Sequence, residues 1–297
     1  MTNNTPLNIL ISYAYLKGSV AFIDTLKRLS LNGSVNLMLD SGAFTKFNAK
    51  GNFQHINVSE YCDFLGHYAD IFEKYVMLDV IGNAEASKKN YEYMLSRGLN
   101  PMFVVTMFDN DIDYIKSAVK RNANICVAGG ATTKGDWLVK RYQDIYASTG
   151  RKALIHGLAY VTYPKMLQLP LASVDSSSWK AASLRFGQLQ YFDNGLKSFH
   201  YKDVYKHGGK ALLPVHRTLL KECGITPAIY AREENHKGNY SIESMYGIRA
   251  ALKMQRVCYR SGLRYFLAIS NMADLEKIMY VHKNYNNLDY NKFKDLK

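Results

Sequence analysis

The chain has 297 residues, 47% hydrophobic, 21% charged and 13% aromatic, which excludes a disordered segment and leaves ample material for a full core. Lysine plus arginine outnumber aspartate plus glutamate by 38 to 25, a formal net charge of +13. No run of about eighteen apolar residues exists, so no membrane span is expected; MTNNTPLNIL lacks the basic start and long apolar stretch of a signal peptide, so the protein is expected in the cytoplasm.

Short, nearly continuous apolar runs recur along the chain and predict parallel strands buried on both faces. In order they are Asn8–Tyr13, Asn36–Leu39 and Tyr75–Val80. A helix follows over Ala84–Arg97, stopped by Gly98 with Pro101 beyond it. Next come a strand at Met102–Met107, a helix at Asp109–Arg121 with acidic residues suited to its start, a strand at Ile125–Ala128 and a helix at Gly135–Ser148. Strands at Ala153–Leu158 and Leu171–Val174 complete this stretch. After an interval the pattern resumes with a helix at Ser241–Ser261, a strand at Tyr265–Ile269 and a helix at Met272–His282. Eight strands alternating with helices predict a (β/α)8 TIM barrel spanning residues 1–297 as one domain. A doubly wound open sheet has the same spacing and is the alternative.

The interval from Trp179 to Tyr240 breaks the rhythm. It is basic and aromatic, contains KSFHYKDVYKHGGK, and is expected as an insertion after strand seven overhanging the C-terminal face. Residues 180–297 carry 20 basic against 10 acidic groups, net +10, whereas residues 1–179 carry 18 against 15, net +3. Clustered cations of this kind bind polyanions by releasing counterions, and aromatics among them stack on bases. A lysine-rich surface from a biased genome produces the same excess, and the insertion itself can equally be an excursion that merely packs on the barrel.

The four cysteines, Cys62, Cys126, Cys223 and Cys258, form no CxxC pair and read as reduced structural thiols. The eight histidines contain neither HxH nor HExxH, so no metal site is expected.

Four strand ends carry the chemistry. The second strand runs into Asp40-Ser41-Gly42-Ala43-Phe44, the third ends Met77-Leu78-Asp79, the fifth ends Ala128-Gly129-Gly130, and the seventh ends Ser173-Val174-Asp175-Ser176-Ser177-Ser178-Trp179. In a barrel these tips meet at one mouth. A carboxylate at the end of an apolar strand costs several kcal/mol of desolvation unless partnered or used. Each has a plainer explanation: Asp40 as a turn cap, Asp79 as the cap of the following helix, Asp175 as an N-cap, Gly129-Gly130 as a tight turn. Together they fit a site. Converging carboxylates suit displacement at a sugar anomeric carbon, one acting as nucleophile and another moving protons. A third can accept from the N–H groups of a purine-like base, glycine lets backbone approach a flat ring, and Phe44 can stack on it. His156, at the end of strand six, is either a pocket-lining residue or core.

The segment Asp40-Ser41-Gly42-Ala43-Phe44 resembles the DSGGFQ motif of tRNA-guanine transglycosylases. Asp79 resembles their base-recognising aspartate, Gly129-Gly130 their glycine pair, and His156-Gly157 through Tyr163-Pro164 to Val174-Asp175 the segment leading to their nucleophile. Order and spacing agree across residues 36–179. The resemblance implies Asp175 as nucleophile on C1′, Asp40 as general acid/base, and Asp79 with Gly129 and Gly130 as the base clamp; Ser41, Gly42 and Phe44 are expected to bind substrate beside them. The sequence departs from that family in reading DSGAFT and in lacking its cysteine-rich zinc motif. The nucleophile segment most resembles the phage DpdA-type branch, which implies exchange of guanine in DNA for a 7-deazaguanine such as preQ0, without a cofactor, in the host cytoplasm if phage-encoded. Exchange on tRNA by a zinc-free relative and a catalytically silent nucleic-acid-binding barrel are the alternatives. Oligomeric state is silent in the sequence.

Overall fold

The computed structural model describes residues 7–43, 56–106, 109–129, 136–201 and 214–296. Phe44, Gly130, His55, Met107 and His207, and residues 202–213 of the basic interval, lie outside the described residues. The chain is α/β. Seven parallel strands come first: β1 (Leu7–Ser12), β2 (Val35–Asp40), β3 (Lys74–Tyr75), β4 (Phe103–Val105), β5 (Asn124–Val127), β6 (Leu154–Gly157) and β7 (Leu171–Ser176). β8 (Gln188–Phe192) and β9 (Leu196–His200) form a separate antiparallel hairpin, and β10 (Arg264–Ile269) returns to the main sheet. The sheet order is β3-β2-β1-β10-β7-β6-β5-β4. Between the outer strands stands one parallel bridge, Val76 to Met102. There the Met77 N–H donates to the Met102 carbonyl at 3.0 Å and the Met102 N–H to the Tyr75 carbonyl at 2.8 Å.

All six residues of β1 are buried, as a parallel strand covered on both faces requires. That includes Asn8, whose Oδ1 accepts from Asn36 Nδ2 at 2.9 Å and from Arg264 Nη2 at 3.0 Å. Arg264 also grips both oxygens of Glu73, the second at 2.7 Å. The starts of β1, β2 and β10 and the residue before β3 are thus joined by a charge-balanced network. Such pairing is what buried polar groups need.

The helices of this part are α1 (Tyr13–Leu16), α2 (Val20–Leu31), α3 (Val58–Tyr68), α4 (Ala84–Ser96), α5 (Ile112–Arg121) and α6 (Asp136–Ser148). α4 starts where Asn83 accepts from the Ala86 N–H at 3.0 Å and stops before Gly98, which takes φ +76°. α5 is capped by Asp111, which accepts from the Tyr114 N–H, rather than opening at Asp109. Asp109 is buried and accepts from the Thr106 N–H at 3.3 Å.

The chain divides into two compact units. One, Pro6–Ser176 with Ser261–Ser270, holds the parallel sheet; the other is Ser177–Arg260 with Asn271–Lys297. The second contains α7 (Ser178–Phe186), the β8–β9 hairpin, α8 (Pro214–Glu222), α9 (Pro227–Tyr230), α10 (Ile242–Arg260), α11 (Met272–Lys283) and α12 (Tyr290–Lys294). The interval read as a break in the rhythm therefore carries regular structure over its described residues. Its core forms around Trp179, 1% exposed, whose carbonyl lies so close to Gly247 of α10 that a Cβ there would come within 2.5 Å. Among the described residues no helix is long and apolar enough to cross a membrane.

Candidate functional site

Asp40 is the last residue of β2, opposite Ser12 of β1. Asp79 follows the Val76 bridge by three residues, Gly129 follows β5, and Asp175 sits in β7 opposite Phe266 of β10. All belong to the unit that holds the parallel sheet, at or beyond the C-terminal ends of its strands. Gly129 takes φ +122°, open only to glycine.

Asp175 is 8% exposed and firmly anchored at one oxygen. Strand alternation puts Ser173 and Asp175 on one face of β7, and His156 of β6 is in register with Ser173. The imidazole is wholly buried, with Nδ1 2.8 Å from Ser173 Oγ and Nε2 3.2 Å from Asp175 Oδ1. The Ala159 N–H donates to that same Oδ1 at 2.8 Å, from a backbone with φ +53° that alanine seldom adopts. Asp175 Oδ2 has no hydrogen-bond partner among the described residues. His156, expected at the pocket lining, is enclosed against Asp175, Ser173 and the edge of Phe266.

Asp40 Oδ2 accepts from the Gly42 N–H at 3.0 Å, the turn contact that an Asp-Ser-Gly sequence suggests. Gly42 has φ +87°, and a Cβ on it would lie 2.6 Å from Ser12 Oγ, so no other residue fits. Burial, then the negative charges of Asp79 and Asp175, push the Asp40 carboxyl up to about 7, against the opposing backbone hydrogen bonds of Gly42 and Ser41. Burial likewise raises Asp79 to about 6, countered by its own N–H and by the Ser41 hydroxyl, which is at the 3.5 Å limit of a hydrogen bond. Neither Asp79 nor Asp175 caps a helix: α4 is capped by Asn83, and α7 begins after Ser177.

The charges of all three carboxylates reach one side chain. Cys126 of β5 is fully buried, and burial followed by the charges of Asp40, Asp175 and Asp79 holds its thiol well above the ordinary range. Among the described residues no lysine or arginine forms an ion pair with any of the three, and no set of three or more His, Cys, Asp or Glu side chains is placed to hold a metal ion. The remaining cysteines are also free and buried. The Tyr142 hydroxyl, buried and without a partner among the described residues, touches Gly157, where a Cβ would come within 2.9 Å of it.

Two carboxyls that titrate near neutrality, beside a third fixed at one oxygen, can pass protons and present a nucleophile in the same site. Ser173, the Ala159 N–H and Cys126 escape a reading for charged motifs. Ser173 is detectable from alternation alone, being polar two residues before Asp175 in an apolar strand. The Ala159 contact depends on a left-handed alanine, for which the sequence has no marker. Compared with protein-family models and with curated proteins, the sequence matches none.

Proposed function

We propose that the chain is a guanine transglycosylase that replaces guanine in DNA with a 7-deazaguanine base of the preQ0 kind, on a closed (β/α)8 barrel. What supports the reading most is that Asp40 senses the charges of both Asp79 and Asp175, with no lysine or arginine among the described residues paired to any of the three. The Val76–Met102 bridge between the outer strands supports closure of the ring. The guanine nucleotide leaves the base stack, at a cost of a few kcal/mol. Asp175 bonds to C1′ as the C1′–N9 bond breaks, and protonated Asp40 supplies the proton to the departing guanine. Asp40 then takes the N9 proton of the incoming base, whose nitrogen attacks C1′ and frees the Asp175 carboxylate. Asp79, with Gly129, Gly130 and Phe44, holds the base edge and face. The scheme needs no cofactor, and the basic Trp179–Tyr240 segment is assigned to the phosphate backbone. It operates in the cytoplasm, the host's if the chain is phage-encoded.

The test is to incubate the protein with preQ0 and either duplex DNA or tRNA, then analyse the nucleosides by mass spectrometry. A deazaguanine nucleoside in the DNA arm is expected. Product only in the tRNA arm reassigns the substrate, and salt-sensitive binding with no product in either arm leaves a silent nucleic-acid-binding barrel.

A further inference from the structure

We infer that Ser173 and His156 form a positioning relay that fixes Oδ1 of Asp175 and thereby assigns Oδ2 as the oxygen that bonds to C1′; this rests on the transglycosylase reading above. A carboxylate attacks through one oxygen, and its two are equivalent until the protein distinguishes them. Here two N–H donors, from Ala159 and from His156 Nε2, converge on Oδ1 at 2.8 and 3.2 Å. Oδ2 receives none among the described residues, yet it is not among the sealed atoms that lack a partner. Oδ1 is therefore the handle and Oδ2 the reacting end.

The relay also fixes the ring. A carboxylate oxygen at Nε2 requires that nitrogen to carry hydrogen, which leaves Nδ1 of the neutral imidazole to accept from the Ser173 hydroxyl at 2.8 Å. Rotating the ring by half a turn breaks both contacts at once. His156 is 0% and Ser173 2% exposed, so water cannot substitute for either, and the edge of Phe266 packs on the imidazole with centroids 6.1 Å apart. Neither side chain reaches substrate; both act through Asp175. In the covalent step Oδ2 gains the bond to C1′ while the C1′–N9 pair leaves with guanine and its proton comes from Asp40. In the return step the N9 pair of the incoming base bonds C1′, its N9 proton passes to Asp40, and the C1′–Oδ2 pair goes back to the carboxylate, which Oδ1 has kept in place throughout.

The experiment follows exchange of labelled guanine into duplex DNA, and into tRNA if DNA is not the substrate, by wild type, His156→Phe, His156→Gln and Ser173→Ala, with melting temperatures measured beside the kinetics. His156→Phe is expected to lower kcat about 100-fold with the nucleic-acid KM within about twofold of wild type, because binding contacts are untouched. Gln, whose amide N–H can still reach Oδ1, is expected to recover about tenfold of that loss, and Ser173→Ala to lose about three- to tenfold. A His156→Phe kcat within about twofold of wild type, a Gln variant no better than Phe at equal melting temperature, or a KM rising in step with the loss overturns the relay. Should His156→Phe fail to fold, wild-type kcat in both His156→Gln and Ser173→Ala overturns it. If wild type exchanges guanine into neither nucleic acid, the transglycosylase reading falls by itself. Nitrogen-15 NMR of the histidine then judges the relay separately: an Nε2–H tautomer whose Nδ1 signal moves in Ser173→Ala supports it, and an Nδ1–H tautomer overturns it.

Discussion

Where the strands begin, Glu73 is gripped by Arg264 and held below the usual carboxylate range, although burial pulls the other way. Where they end, Asp40 is driven up to about 7 and Asp79 to about 6, and no lysine or arginine among the described residues is ion-paired to either. The same sheet thus neutralises its acid at one end and crowds its acids at the other. Charge balance is within reach of this architecture, so the lack of a lysine or arginine partner among the described residues at the strand ends is a departure from what stability alone would select. Departures of that kind gather at functional sites.

The largest effect that separates the two ends is on activity. Asp175→Asn is expected to remove guanine exchange by about a thousandfold or more and to abolish any protein–nucleic acid adduct on a denaturing gel; retained turnover would reassign the nucleophile. Arg264→Met breaks the balanced end. It should lower unfolding free energy by about 2 kcal/mol in urea titrations by leaving Glu73 and the buried Asn8 carbonyl short of a donor, while exchange per folded molecule stays at wild-type level. A loss of turnover with intact folding would show that the balanced end takes part in the chemistry.

Asp40→Asn should do the reverse of Arg264→Met. A carboxyl whose folded pKa is raised binds its proton more tightly in the native state, so stability is full below about pH 4 and declines as pH rises through about 7. The asparagine variant lacks that decline. At pH 8 it should be more stable than wild type by about 1–2 kcal/mol, the gap closing by about pH 4, with exchange reduced at least about a hundredfold. A constant gap across that range would mean that the carboxyl is not under electrostatic stress. The smallest effect is the control away from both ends: Asn83→Ala removes the cap of α4 and should cost about 1 kcal/mol at every pH, with exchange unaltered.

Much of the parallel sheet is legible in the sequence because strands buried on both faces leave unbroken apolar runs. Most read to within two residues of their observed ends. The third is the exception: Tyr75–Val80 looks continuous, yet β3 is only Lys74–Tyr75, since beyond the Val76 bridge the chain no longer has a ladder partner. α3 is missed because no glycine or proline stop follows it; α2 is closed by Gly33 at φ +70° much as α4 is by Gly98, but no proline lies beyond it to mark the restart. The β8–β9 hairpin is a different case. Its Asn194-Gly195 turn, with φ +47° and +126°, is a recognised hairpin signal, obscured when the segment is read for charge alone. At the site, the three aspartates are legible as acids stranded at the ends of apolar runs. Their mutual electrostatics and the relay behind Asp175 are not, since both depend on which strands lie side by side.

The β1–β2 ladder pairs six residues, whereas a single bridge joins the chain around Val76 to Met102. A junction joined so lightly is expected to yield more readily than the β1–β2 ladder, and it lies three residues from Asp79. On the transglycosylase reading, bases with bulkier substituents would be admitted by parting this junction, and amide hydrogens of Met77 and Met102 should trade with solvent sooner than those of β1.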